Sequence, residues 1–187
     1  MSRWEPDARG RIALAAMELY TERGFDQTTV ADIAERAGLT ERTFFRHFAD
    51  KREVLFGGQD EFRDLFLNAI VGAPANATPL EAVSLGIHAA AESFGPRRQW
   101  SLQRQQVIAA NAGLQERELI KLARLADAIA AALRDRGVAE PAASLAAQSG
   151  MAVFHVGFGR WIAPDNTTDF SQIITALLVA LQAVTAA

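Results

Sequence analysis

The chain has 187 residues, of which 50% are hydrophobic and 8% aromatic, and its formal net charge is −3. This length allows one large domain or a small and a medium domain, and the absence of cysteine excludes disulfides, thiol catalysis and cysteine-based zinc sites. The first ten residues contain charges and no apolar run, so we expect no signal peptide and a cytoplasmic protein.

The sequence predicts an all-α fold of about nine helices. Alanine and leucine dominate the apolar residues and favour helix, and no alternating β-branched run indicates a strand. Capping boxes and glycine or proline stops place the helices at residues 7–23, 29–36, 40–46, 51–70, 79–94, 97–110, 114–136, 141–162 and 168–185. We expect an N-terminal domain at residues 1–56 and a C-terminal helical domain at residues 57–187.

Residues 28–53 read TTVADIAERAGLTERTFFRHFADKRE. They contain two short helical patterns separated by a turn. Ala34 is small where the two helices must cross closely, and Gly38 can adopt the left-handed backbone that a sharp turn requires. This pattern is typical of a helix-turn-helix, whose second helix enters the major groove of double-stranded DNA. Short helices separated by glycine also occur in other helical proteins, and that reading stays open.

The second helix of this motif presents different residues on its two sides. Phe44 and Phe48 are four residues apart and are expected to face inward. Arg42 can donate two hydrogen bonds to a guanine, and Thr43 can contact a phosphate or a thymine methyl. Lys51 lies at the start of the next predicted helix, where its charge and unpaired amides suit a phosphate. We therefore expect Arg42→Ala to relax base preference and Lys51→Ala to weaken binding to all sequences.

The negative net charge does not supply a general attraction to DNA. A nucleic-acid-binding protein usually has a basic face. The attraction must therefore come from a small patch, which we predict at Arg42, Arg46, Lys51 and Arg52.

Residues 29–39, 43–48 and 50–55 together closely resemble the TetR family of regulators. The family pattern reads roughly T-x-x-x-I-A-x-x-A-G-V-S-x-x-T-x-Y-x-H-F-x-x-K-x-x-L, and the helix before it is also similar, so the resemblance covers about residues 7–67. It implies an all-helical homodimer that binds a palindromic operator. The implied DNA contacts are Thr29, Thr40, Glu41, Arg42, Thr43, Phe45, His47 and Lys51. Phe45 replaces the usual tyrosine, so it packs against a sugar or only supports the helix.

Two stretches near the C-terminus, residues 141–159 and 170–187, contain no charged residue. A membrane hairpin is rejected because both are too weakly apolar to insert. A helix without charges must be buried on most sides, and pairing across a two-fold axis into a four-helix bundle achieves this. The predicted dimer interface is Gly150, Phe154, Gly157, Phe158, Trp161, Ile174, Leu177, Leu178 and Leu181. Alternatively, the glycine pair contacts a helix of its own subunit.

A ligand site is expected among the C-terminal helices. Its candidates are large or polar side chains in apolar helices: Phe62, Phe66, His88, Trp100, Arg104, Gln148, Met151 and His155. Each aromatic residue could equally belong to the core, and a satisfied core histidine is favoured over a ligand contact. Three histidines without clustered spacing predict no metal site, and no cofactor is expected.

Residues 104–133 weakly resemble the branch of the family associated with acyl-coenzyme-A-like ligands. This resemblance implies that Arg97, Arg98 and Arg104 attract ligand phosphates, although a solvated basic helix end explains them equally well. The leading hypothesis is a repressor that a small, largely apolar ligand releases from its operator. A ligand-activated regulator, a constitutive DNA binder and a scaffold remain alternatives. An enzyme is disfavoured because the chain has no phosphate loop, nucleophile elbow or metal motif.

Overall fold

The structure, a computed structural model, describes residues 8–185. Within that range the chain forms nine α-helices, a short 3-10 turn at Gly95–Arg97 and no strand, which confirms the all-α prediction. The helices are α1 (Ala8–Arg23), α2 (Val30–Arg36), α3 (Glu41–His47), α4 (Gln59–Val71), α5 (Pro79–Phe94), α6 (Arg98–Ala109), α7 (Ala112–Asp135), α8 (Ala142–Ile162) and α9 (Phe170–Thr185).

The start of the fourth helix differs from the prediction. Residues 51–58 form successive turns, and α4 begins only at Gln59. Three consecutive apolar residues, 54–56, are all buried, which a helix packed on one face does not allow. The chain therefore turns more tightly, through i→i+3 bonds such as Leu55 N to Arg52 O at 3.0 Å. Gly58, with φ +84°, then starts α4 from the left-handed region.

The chain divides into two compact units. The first contains residues 1–57 and 103–118, and the second contains residues 58–102 and 119–187. Helices α6 and α7 are each divided between the units, so the end of α6 and the start of α7 belong with α1–α3. The domain boundary predicted from the sequence places residues 103–118 in the C-terminal domain instead.

The first unit has a core built from the apolar face of α1. Ile12, Ala15, Ala16, Leu19 and Tyr20 are all buried, as the sequence predicts. Other residues buried in this unit are Ile33, Ala34, Phe44, Phe48, Ile108 and Leu114. This core holds α2 and α3 against α1, so that the outer faces of the two short helices remain at the surface.

The second unit has an aromatic core formed by α4, α5, α8 and α9. Ring centroids in this aromatic cluster lie 4.9–6.2 Å apart, and its members are Phe62, Phe66, Phe94, Phe154, Phe158, Trp161 and Phe170. Trp161 and Phe170 stack at 4.9 Å with an interplanar angle of 10°. Across residues 8–185, no helix combines the length and apolar character needed to cross a membrane.

Candidate nucleic-acid interface

Thr29 is the N-cap residue of α2. Its hydroxyl accepts from the Asp32 backbone amide at 3.2 Å, and its own amide donates to the Asp32 carboxylate at 2.8 Å. Asp32 also forms an ion pair with Arg23 at 2.8 Å. Hydrogen bonds from the Thr29 hydroxyl and amide, supplemented by Arg23, lower the pKa of Asp32 to about 2. The capping box thus locks the N-terminus of α2, where Thr29 is exposed.

The turn between α2 and α3 is held from α1. Gly38 has φ +64°, and the Arg11 guanidinium donates to the carbonyls of Ala37 at 2.5 Å and Gly38 at 3.2 Å. A Cβ on Gly38 would lie 2.9 Å from Nη2 of Arg11. Arg11 is a residue that sequence reasoning missed, because an arginine on α1 looks like any solvated helix residue. It stabilises the turn between α2 and α3 by donating to carbonyls that the turn leaves unpaired.

The recognition face of α3 is formed by Arg42, Phe45 and Arg46. These residues follow an i, i+3, i+4 spacing and are all exposed, with Phe45 54% exposed. The Phe45 ring rests edge-on against buried Phe44 at 5.5 Å. Among the described residues, neither Arg42 nor Arg46 forms an ion pair. This face therefore presents two available guanidinium groups on either side of an apolar ring.

The remaining predicted contacts on α3 have mixed environments. Thr40 caps the helix by accepting from the Thr43 amide at 3.2 Å, and the two hydroxyls lie 3.1 Å apart. Glu41 is exposed in the first turn. His47 is half-buried, and its Nε2 is buried without a hydrogen-bond partner. Thr40, Glu41 and Thr43 thus lie beside the recognition face. The His47 ring instead lies partly inside the protein.

The predicted basic patch is smaller than the sequence suggests. Lys51 donates to the carbonyls of Phe25 at 2.9 Å, Asp26 at 3.3 Å and Thr28 at 2.8 Å. Arg52 pairs with Asp50 at 3.0 Å. No α-helix begins at Lys51, so the helix N-terminus that was expected to hold a phosphate there is absent. Of the four predicted patch residues, Arg42 and Arg46 are the ones left without such partners.

The predicted ligand residues do not converge on one cavity. Phe62 and Phe66 belong to the aromatic cluster, and Met151 is buried. His88 and Trp100 are half-buried, whereas Gln148 and His155 are exposed. An open groove of about 490 Å³ lies elsewhere in the second unit, between α4 and α7, and contains none of these residues; its lining is Leu67, Val71, Ala128, Ala131, Ala132, Asp135 and Arg136.

Two of the three arginines expected to attract ligand phosphates already form hydrogen bonds within the protein. Arg98 donates to the carbonyls of Trp161 at 2.9 Å and Ala163 at 2.6 Å, where it caps α8. Arg104 donates to the Leu55 carbonyl at 2.7 Å and pairs with Glu118 at 2.8 Å. Neither guanidinium is available as the expectation requires. Arg97, the third candidate, is exposed.

Most residues of the predicted dimer interface lie inside their own chain. A Cβ on Gly150 would lie 2.3 Å from Val83 of α5, and one on Gly157 would lie 2.6 Å from Ile174 of α9. The structure therefore has the alternative arrangement, in which the two glycines contact helices of their own subunit. Phe154, Trp161, Ile174 and Leu177 are buried, and Phe158, Leu178 and Leu181 are partly buried against the same core.

Residues 12–56 match the sequence model of a family described as "Bacterial regulatory proteins, tetR family". The transcriptional regulator TcmR of Streptomyces glaucescens is 41% identical over 76 residues, covering 41% of this chain and 34% of that protein. The transcriptional repressor KstR2 of Mycobacterium tuberculosis is 35% identical over 78 residues, covering 39% and 37%. The chain thus matches about a third of the length of these curated relatives. The prediction that the chain is not an enzyme agrees with them, since both are described as transcriptional regulators.

Solved structures resemble nearly the whole chain. FadR from Bacillus subtilis, in complex with stearoyl-CoA, has a TM-score of 0.64 at 20% identity and covers 92% of this chain and 96% of its own. FadR from Thermus thermophilus, in complex with lauroyl-CoA, has a TM-score of 0.58 at 24% identity and covers 96% and 95%. A SmeT–triclosan complex has a TM-score of 0.65 at 20% identity and covers 96% and 91%. At such identities the likeness establishes the fold and nothing further.

Proposed function

We propose that the chain is a DNA-binding transcription regulator, on the premise that residues 12–56 match the sequence model of the tetR family of bacterial regulatory proteins. The observation that carries the proposal is the recognition face of α3. Two exposed arginines without ion-pair partners and an exposed phenylalanine occupy the helix that a helix-turn-helix places in the major groove. Arginine is the residue best suited to a bidentate contact with guanine.

The experiment that tests DNA binding uses sequences that the wild-type protein selects from random double-stranded DNA. Arg42→Ala is expected to weaken binding to the selected site by about 1–3 kcal/mol and to relax the base preference at one position per half-site. Arg124→Ala is the matched control, because Arg124 is also exposed but lies in the second unit. If the wild-type protein selects no sequence at low salt, or both variants bind equally well, the proposal fails.

We propose that the protein acts as a homodimer on a palindromic operator, and that the outer faces of α8 and α9 form the contact. Leu145, Val156, Val179 and Val184 are between 46% and 83% exposed on these two helices. Residues 141–159 and 170–185 contain no charged side chain, so no desolvation of charge opposes burial of this surface. A second copy of the chain suits it, because a two-fold axis pairs this apolar surface with an identical one.

We further propose that a small, largely apolar ligand releases the protein from its operator. The aromatic cluster favours an apolar ligand, because a compound entering it meets aromatic rings and the aliphatic side chains of the same core. The solved complexes with stearoyl-CoA, lauroyl-CoA and triclosan contain ligands with large apolar parts, bound by those proteins. The rings are in mutual contact, so a ligand must displace some of them. Binding and rearrangement of the second unit are therefore coupled.

A rearrangement in the second unit can reach the first through continuous helices. The segment 103–118, at the end of α6 and the start of α7, is bonded to the rest of the first unit. Arg117 pairs with Glu53, and Asn111 donates to Asp26 at 3.1 Å. Residues 98–102 of α6 and 119–135 of α7 belong to the second unit, and we propose that these two helices transmit the effect of a ligand along the chain.

Ligand binding is tested with triclosan, lauroyl-CoA and free coenzyme A as probes. We expect the apolar probes to change the tryptophan fluorescence, because Trp161 stacks inside the cluster, and to weaken binding to the selected DNA. Free coenzyme A is expected to do neither, since two of the three arginines expected to attract its phosphates, Arg98 and Arg104, already donate hydrogen bonds within the protein. Tighter DNA binding with an apolar probe would indicate an activator, and binding of coenzyme A alone would contradict the apolar assignment.

A further inference from the structure

Lys51 lies at the centre of a hydrogen-bonded network in the first unit. Its ammonium group has three N–H donors, and three backbone carbonyls accept from it, those of Phe25, Asp26 and Thr28, at 2.8–3.3 Å. The same ammonium lies 4.4 Å from the centroid of the Phe25 ring, which adds a cation–π contact. The Tyr20 hydroxyl donates to the Lys51 carbonyl at 2.5 Å. Lys51 therefore joins α1 to the loop that precedes α2.

The backbone amides that follow Lys51 also form hydrogen bonds within the protein. The amides of Arg52 and Glu53 donate to the Asp50 carboxylate at 2.8 and 3.0 Å, and the next turns are closed by i→i+3 bonds. The amides that a helix N-terminus would offer to an anion are thus already used. Neither the side chain nor its surroundings form the phosphate site that the sequence pattern predicts.

The loop that Lys51 holds ends directly at the cap of α2. Thr28 is fully buried, its hydroxyl donates to the Gly24 carbonyl at 2.9 Å, and Thr29 follows it as the N-cap. Three carbonyls that converge on one point repel each other unless a cation lies between them. Without Lys51 these carbonyls would repel each other, and the loop before α2 would lose three hydrogen bonds.

We infer that Lys51 is a positioning residue, which holds the loop at residues 24–28 and thereby the N-terminus of α2 in the orientation that DNA binding requires, and that it donates to no DNA phosphate. This inference deepens the proposed function and rests on it. In this role Lys51 supports DNA binding by fixing the loop within its own protomer. A phosphate contact would instead support binding through the attraction between its charge and the DNA.

The salt dependence of DNA binding separates the two roles. Removing one phosphate contact lowers the slope of log K against log salt concentration by about 0.9 for each protomer. We expect Lys51→Met to weaken binding to both selected and random DNA by about 10–100-fold, because charge-assisted hydrogen bonds are lost, with the slope unchanged. Arg46→Gln, which removes an exposed charge from α3, shows that the assay registers a lost DNA-facing cation. Circular dichroism must show each variant folded at the assay temperature.

Lys51→Arg provides the second comparison. It keeps the positive charge, so it would preserve a phosphate contact, but a planar guanidinium cannot donate to three carbonyls grouped around one point. We therefore expect Lys51→Arg to weaken binding about as much as Lys51→Met does. Restored affinity in Lys51→Arg, together with a reduced slope in Lys51→Met, would overturn the inference. Wild-type affinity in a folded Lys51→Met protein would overturn it as well.

Amine labelling of the wild-type chain tests the same point without a variant. The chain has two lysines, at 51 and 121, so mass spectrometry resolves each acetylation site. We expect Lys51 to react much more slowly in the folded protein than in the urea-unfolded chain, with little further protection by DNA. Fast reaction in the free protein and protection only by DNA would overturn the inference. If the wild-type protein binds no DNA, the proposed function fails, and slow labelling of free Lys51 still establishes the bonded loop.

Discussion

At the scale of single residues, the exposed ring of Phe45 has a specific consequence for DNA recognition. It is 54% exposed on the recognition face and carries no hydroxyl to donate to a phosphate. An apolar ring in the major groove can instead contact the C5 methyl of thymine. Its edge-on contact with Phe44 holds the ring in place, so the contact would require no reorganisation.

We predict that replacing the contacted thymine by deoxyuridine weakens wild-type binding by about 0.8 kcal/mol, or about fourfold, because one buried methyl is lost. Phe45→Ala should bind more weakly and be insensitive to the replacement. Leu14→Ala is the matched control, since Leu14 is also 54% exposed but lies on α1. Gel-shift titrations over a scan of single replacements measure all three. An equal deoxyuridine penalty in Phe45→Ala would contradict the prediction.

At the scale of helices, arginines cap the carbonyl ends of several elements. Arg11 donates to the end of α2, Arg98 to the end of α8, and Arg136 to four carbonyls in the last turn of α4 and the residues that follow it, at 2.8–3.2 Å. The last carbonyls of a helix have no partner within it and carry the negative end of its dipole. These three arginines therefore stabilise helix ends and are not available for contacts outside the protein.

The capping box of α2 makes a pH-dependent contribution to stability. Because the folded pKa of Asp32 is lowered to about 2 from 3.8, its contribution is fully present above pH 4 and is lost as the pH falls towards 2. Wild-type protein should be more stable than Asp32→Asn at neutral pH, and this difference should shrink between pH 4 and pH 2. Urea unfolding at several pH values measures the difference, in which contributions shared by both proteins cancel. A difference that is constant with pH would contradict the assignment.

At the scale of the whole molecule, the proposed homodimer contact is formed by the apolar outer residues of α8 and α9. We predict that Val179→Glu converts the dimer to a monomer, because it buries an unpaired charge in the contact. Binding to a single half-site should persist, whereas tight binding to the palindrome should be lost. Sedimentation and gel-shift measurements report the two effects.

Leu119→Glu serves as the control for this substitution. Leu119 on α7 is 65% exposed and Val179 is 62% exposed, so the two changes place the same charge at equally accessible positions. The control should remain dimeric. A Val179→Glu protein that sediments like the wild type would mean that the contact lies on another surface.

Local patterns in the sequence determined much of this protein. Capping boxes, glycine stops and apolar periodicity placed most helices within a few residues of their observed bounds, because these signals act over one or two turns. The helix-turn-helix was equally visible, since Gly38 and the spacing of Phe44 and Phe48 are local requirements of that fold. The same holds for the inward face of α1.

The tertiary structure alone decided which side chains are available to contact DNA, a ligand or a second subunit. Lys51, Arg98 and Arg104 look like free cations in the sequence, yet each bonds to carbonyls of distant residues. Phe154 and Trp161 look like interface residues, yet they fill the core of their own chain. The physical reason is the same for the cations and for the rings. Their partners lie on elements distant in sequence, and only the packing of those elements brings them into contact. Periodicity identifies the buried face of a helix but not the element that covers it.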